Sequence, residues 1–317
     1  MKRSKPAWVD GEDSRFPYDA WLCGVGFSTE RAAAENAAYA ALSRIFVARV
    51  ASVSKDFMGA YASTGADPLE VQSVEQLTKV STGKVFSDVR IIEVWQSKAG
   101  ETFALACLER SKAARVLQNQ INAADEHTAK LLDKASRSDK AAKVASLSKA
   151  LEAMAEREAL NGELRIVNAN GIGVASQYSH VDVVEAFEAA VDALKIAVHA
   201  TGPYDGDFRS VLIGALTKRG YKVTEGSADG MDVLVTATIR MEDGGKGTGR
   251  QASYDFARGV IHVEVKNVAQ NKILDSMTES RKEGHRNLAE AERRAVRALA
   301  KTISTKVGAK VEQAMLR

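Results

Sequence analysis

The sequence predicts an α+β protein: two α/β modules with mainly antiparallel sheets covered by helices, joined by a helical hairpin. Three observations carry this. Short apolar runs with period-two alternation fall into two groups, at 21–25 with 85–108 and again at 194–279. Alanine-rich segments at 31–53 and 287–315 repeat apolar residues every three or four positions, as helices lying on a sheet do. Between the groups, two further striped segments are separated only by residues 136–139, which favours an antiparallel helical hairpin over a linker. The expected divisions are a lead-in at 1–18, a first module at 19–110, the hairpin with a connecting helix at 111–190, and a C-terminal module at 191–317.

The lead-in carries Pro6, Gly11 and Pro17 and no periodicity, so it reads as extended chain with Trp8 docked on the body. In the strand at 21–25, Trp21, Cys23 and Val25 share one face. Gly24 and Gly26 read as the turn leaving that strand. Ser28 or Thr29 then caps a helix running to about residue 53, with Glu30 and Glu35 near its positive end. Its apolar stripe is Ala34, Ala38, Ala41, Leu42, Ile45 and Phe46, small enough at the start for close approach to a sheet. Gly59, Gly65 and Pro68 break the next stretch, and a short helix can follow Pro68. Residues 85–95 and 102–108 form an antiparallel hairpin around Ser97-Lys98-Ala99-Gly100.

In the hairpin of helices, Asp139 is placed to cap the second, and Asn161-Gly162 to end it. Residues 181–194 form another helix. The C-terminal module then reads as strand 194–198, helix 207–219 stopped by Gly220, strands 221–224, 232–240, 260–266 and 273–279, and a closing helix. The segments 32–50 and 289–307 echo each other, either as two helices that each cover a sheet or as a duplicated module.

The chain has 317 residues, 45% of them hydrophobic and 27% charged, which places it among ordinary globular proteins. A net charge of +3 does not suggest nucleic acid as a partner. No apolar run approaches the roughly 18 residues of a membrane span. Met1-Lys2-Arg3-Ser4-Lys5-Pro6 has the basic start of a signal peptide without an apolar core behind it. The expectation is therefore either a cytosolic protein or a chain that begins after a removed signal.

No catalytic, cofactor or metal site is expected. Gly24-x-Gly26-x-x-Thr29 follows a strand and precedes a helix, as a dinucleotide fingerprint would. Yet its third position is Thr, and no acidic strand end follows at the right distance. The run at 244–250 has the wrong order for a phosphate loop and lies between strands, as a hairpin loop. His127, His180, His199, His262 and His285 are scattered without metal-ligand spacing. Cys23 and Cys107 both sit in apolar strands, where buried free thiols are usual. They are also placed to bridge if the two strands are neighbours in register. Arg293, Arg297 and Lys301 line one helix face, either solvated or touching an acidic partner or anionic lipid.

The series Pro6-Ala7-Trp8-Val9, Trp21-Leu22-Cys23-Gly24-Val25-Gly26, the helix with Glu35, Asn36 and Ala41, and the strands at 85–95 and Phe103-Ala104-Leu105-Ala106 resembles the LPP outer-membrane lipoprotein family. That family includes the N-terminal domain of the flagellar T-ring protein. The likeness covers about residues 6–115. Residues 194–238, with Leu216-Thr217-Lys218-Arg219-Gly220-Tyr221 and Asp232-Val233-Leu234-Val235, more faintly resemble the N-terminal domain of TolB. The resemblance implies a periplasmic or outer-membrane protein without enzymatic activity, whose partners are other envelope proteins. Membrane attachment, peripheral or through a lipid, would need a lipobox in the precursor, because Cys23 lies inside a strand. The expected function is assembly through protein–protein or surface-structure contacts. The alternatives are a small-ligand or cell-wall-glycan module near Trp95 or Tyr254, and a nucleotide-dependent enzyme.

Overall fold

The computed structural model describes residues 4–11, 13–62 and 88–316. The short helix expected after Pro68 and the start of the hairpin strand at Val85 lie outside the described residues. The fold is α+β, and the chain divides into two compact units, Met1–Ala129 with Leu151–Val181, and Lys130–Ala150 with Asp182–Arg317.

The first unit is a three-stranded antiparallel sheet. Strands β1 (Trp21–Ser28), β2 (Arg90–Gln96) and β3 (Thr102–Glu109) lie in the order β1-β3-β2. Helix α1 (Arg31–Ala62) lies on one face. It runs through Gly59, past the end expected near residue 53, because one glycine costs only about 1 kcal/mol in a long helix. Its buried stripe is Ala34, Ala38, Leu42 and Phe46, whereas Ile45 is exposed.

The glycines need a correction. Gly24 and Gly26 are not an exit turn; they sit inside β1, opposite Ala106 and Ala104. The four form a square patch of minimal side chains on the sheet face that meets α1. A Cβ at Gly24 would lie 2.5 Å from the Leu42 amide nitrogen, and one at Gly26 would lie 2.1 Å from that of Ala38. Helix backbone fills the space that side chains would occupy, so glycine is required for close approach rather than for a turn.

Helices α2 (Arg110–Arg137) and α3 (Lys140–Val167) form the expected pair, but they are not a piece of their own. The start of α2, with Ala113, Leu117 and Ile121, and the end of α3, with Leu160, Leu164, Ile166 and Val167, belong to the first unit's core. Their remaining turns cluster with the second unit. Asn161-Gly162 does not end α3. The Asn161 side chain accepts a hydrogen bond from the Val174 N–H at 2.7 Å, and its amide donates to Glu158 at 3.2 Å. With its polar side chain satisfied and the following apolar residues buried, the helix continues to Val167. Buried Arg110 donates to the Ile166 and Val167 carbonyls at 2.8 and 2.7 Å and so closes that helix end.

Besides residues Lys130–Ala150 of α2 and α3, the second unit contains α4 (His180–Asp192), whose first two residues belong to the first unit, β4 (Ile196–Thr201), α5 (Asp205–Thr217), β5 (Val223–Glu225), β6 (Val233–Lys246), β7 (Asp255–Asn267), β8 (Lys272–His285) and α6 (Leu288–Leu316). The strand order is β5-β4-β6-β7-β8; β4 runs parallel to β5 and β6, and the other pairs are antiparallel. Helices α5 and α6 cover the face formed by Val233, Val235, Ala237, Ile261, Val263 and Val265. The buried residues of α6 step by four, from Ala291 through Ala295, Leu299, Ile303 and Val307 to Val311. Asp139 caps α3, accepting from the Ala142 N–H at 3.0 Å, and also accepts from Asn267 and Gln270. The glycine-rich run at 244–250 is largely structured: Gly244–Lys246 close β6, and the Gly247 N–H donates to the Tyr254 carbonyl.

Candidate functional site

The second face of the three-stranded sheet carries the distinctive chemistry. Cys23 pairs with Cys107, Val25 with Leu105, and Phe27 with Phe103 across the β1–β3 ladder. Cys23 and Cys107 are joined by a disulfide, although buried free thiols are the usual state in such strands. The reason is register: both cysteines face outward at directly opposed positions, where side chains approach closest.

The lead-in straps this face. A short 3-10 turn, Ala7–Asp10, places Trp8 over Leu105 and Cys107, leaving it 2% exposed. Phe16 meets Trp21 edge-on, at 5.8 Å between ring centres. Trp8 Nε1 donates to Glu93 at 2.7 Å, and Arg15 pairs with both Glu93 and Asp13. The Arg15 guanidinium hydrogen-bonded to Glu93 holds that carboxyl below its ordinary range, with the Trp8 indole acting in the same direction.

Glu93 reaches this face because of a bulge. The β2–β3 register shifts between Ile91 and Glu93, so that Ile91 opposes Ala106 and Glu93 opposes Leu105. Ile92 is the extra residue. Were Ile92 paired with Leu105 in a regular ladder, Glu93 would oppose Ala104 and point to the α1 side, into the apolar core. Bulging Ile92 out of the ladder therefore keeps Glu93 on the strap face, where it anchors the strap instead of being buried unpaired.

Beyond the strap, Phe103 and Trp95 are half-buried. Phe27 is 67% exposed and stacks on Phe103 at 5.8 Å, while Trp95 lies against Phe103 at 5.6 Å. The three rings form one cross-strand row, since Phe27 opposes Phe103 and Phe103 opposes Trp95.

The other expected sites resolve differently. Gly24 and Gly26 pack against the side of α1 at Ala34–Leu42 rather than lying beyond its N-terminal end, which removes the geometry by which a dinucleotide fingerprint cradles phosphate. Arg293 and Arg297, about 70% and 69% exposed, both pair with Glu290, and Arg294 joins them. Lys301 is exposed on the same helix. Among the described residues no three His, Cys, Asp or Glu side chains gather to hold a metal. His262 lies between Thr278 and Glu264, at 2.8 and 3.2 Å, on the sheet face opposite the helices. His180 is half-buried, and desolvation lowers its pKa.

Sequence reasoning missed Glu93, Arg15 and Phe27. The available signal was Glu93 in the otherwise apolar run Ile91–Trp95, a carboxylate needing a partner. Phe27 escaped because the strand was ended at Val25.

No family model and no curated protein sequence matches this chain. Among solved structures, it is similar to the secreted protein HP1454 from Helicobacter pylori, at 14% identity over 69% of this chain and 78% of that one, with a TM-score of 0.37. It is similar to a minor lipoprotein from Acinetobacter baumannii at 16% identity, over 37% and 93% of the two chains, with a TM-score of 0.28. The rare lipoprotein B from Shewanella oneidensis gives 11% identity, 38% and 92% coverage, and a TM-score of 0.27. Likenesses this distant carry no functional information, and the resemblance to the LPP family rests on the residues of the strap, β1, α1 and the hairpin alone.

Proposed function

We propose that this is a non-enzymatic protein of the bacterial cell envelope, periplasmic or outer-membrane-associated, which binds other envelope proteins during assembly. The Cys23–Cys107 bridge carries the compartment half of this reading. Disulfides persist in oxidising compartments such as the periplasm and are reduced in most cytosols. The binding half rests on the row of Phe27, Phe103 and Trp95, exposed at Phe27 and half-buried at the other two, continuous with the strapped face and stiffened by the bridge beneath it. Exposed aromatic rings on a rigid sheet are favoured anchors for protein contacts.

A glycan-binding module is the second reading, because a flat aromatic row also stacks sugar rings. A photo-reactive phenylalanine at position 27, introduced in the native cell, separates the two. Adducts with specific envelope proteins, absent when the probe replaces exposed Arg137, support the first reading. Adducts with cell-wall material support the second, and cytosolic adducts alone overturn both.

A further inference from the structure

We propose that β8 is a self-association edge, through which two copies of this chain join their five-stranded sheets about a two-fold axis at Ser280. The inference holds whatever the compartment, and deepens the assembly reading by naming a second copy as partner.

Strand β8 has 14 residues and ends the sheet, with β7 its only strand neighbour among the described residues. The opposite edge strand, β5, has three. A long edge presents a row of unpaired backbone donors and acceptors, and proteins ordinarily blunt such edges with proline, bulges, brevity or charged side chains. Strand β8 has no proline, and its one register shift, at Leu274, lies near its start. From Asp275 to His285 its pairing with β7 is regular, and the midpoint of that stretch is Ser280.

Its charges are arranged to match themselves. In an antiparallel pairing centred on Ser280, Glu279 of each copy opposes Arg281 of the other, Asp275 opposes His285, and Thr278 opposes Lys282. Centring on Glu279 or Arg281 instead opposes two carboxylates or two guanidiniums, which is destabilising. Centring on Thr278 draws the irregular residues 272–274 into the ladder. The regular stretch and the charge pattern therefore select the same axis. Odd-numbered residues face α6, where Glu279 meets Lys306 at 2.6 Å and Asp275 meets Lys310 at 3.0 Å. Even-numbered Ser276, Thr278, Ser280 and Lys282 are exposed. This is strand addition between identical copies, closed by symmetry.

Sedimentation equilibrium of the purified full chain tests it, with Ser280→Lys and Ser280→Asp as exposed substitutions on the axis. The wild type is expected to reach twice the chain mass in the micromolar range. Each variant alone places like charges opposite each other and is expected to raise the dissociation constant at least tenfold. An equimolar mixture restores dimerisation, because lysine then opposes aspartate. A wild type that keeps the single-chain mass to about 100 μM overturns the proposal. So do variants that dimerise like the wild type, or a mixture that fails to restore the dimer.

Discussion

A Cβ on Gly26 would stand 2.1 Å from the amide nitrogen of Ala38, inside the backbone of α1. The strand and helix therefore meet main chain to main chain. The obstacle is not a side-chain tip that can swing away, so a methyl group must push the helix off the sheet. Gly26→Ala is expected to cost about 3 kcal/mol or more, at the upper end of overpacking penalties. Gly24→Ala, with a 2.5 Å approach, is expected to cost less. Gly100→Ala, at a turn with φ of 92° and open space around it, should cost only about 1 kcal/mol. Denaturant unfolding of the three variants gives the order, and equal losses at all three sites would contradict it.

The strap should loosen in acid. Because the folded-state pKa of Glu93 lies below its ordinary 4.5, the unfolded chain takes up the proton first as pH falls. The stabilisation is therefore complete above about 4.5 and is lost as pH drops through the lower, folded value. The indole N–H resonance of Trp8 reports this directly, since that proton lies in the bond to Glu93. It is expected to move in the wild type below that pH and to lose most of that movement in Glu93→Gln.

Deleting Ile92 removes the bulge but leaves Glu93 opposite Leu105 on the strap face, because Ile91 and Glu93 then become consecutive and point to opposite faces. The deletion is expected to keep the Trp8–Glu93 hydrogen bond and to cost the first unit no more than about 2 kcal/mol. Thermal unfolding followed by circular dichroism measures the cost, and a Trp8 indole N–H resonance displaced as in Glu93→Gln would show that the carboxylate had left the strap.

The Arg293, Arg297 and Lys301 face should matter little to folding. All three side chains are exposed, and the arginines share one acceptor, Glu290. Replacing all three by alanine is expected to change stability by no more than about 0.5 kcal/mol, as for most exposed ion pairs. Any loss in pelleting with anionic vesicles would then report contact rather than unfolding.

Element type and order are legible in this sequence because period-two and period-3.6 apolar patterns come from burial, which is local in its signature. The alternation Trp21, Cys23, Val25 identifies the outward face of β1, and Asp139 reads correctly as a cap. The glycines mislead because the same residue serves positive-φ turns and close approach, and only the helix lying on them distinguishes the two. Asn161-Gly162 misleads for a related reason: a hydrogen bond from Val174, thirteen residues away, satisfies the asparagine and lets the helix continue. Glu93 depends on a bulge, and no pattern of side chains along β2 announces which residue is extra. The bridge depends on register between strands 84 residues apart, which spacing alone leaves open.

The redox state of Cys23 and Cys107 in the native cell tests the envelope account most directly. Cells are quenched in acid, free thiols are alkylated with a heavy maleimide, and the protein is resolved by fraction. The account predicts an unalkylated, bridged protein in the periplasmic or outer-membrane fraction, which accepts two labels only after reduction and loses about 2–4 kcal/mol of stability with them. Two alkylated thiols in a protein confined to the cytosol would contradict it.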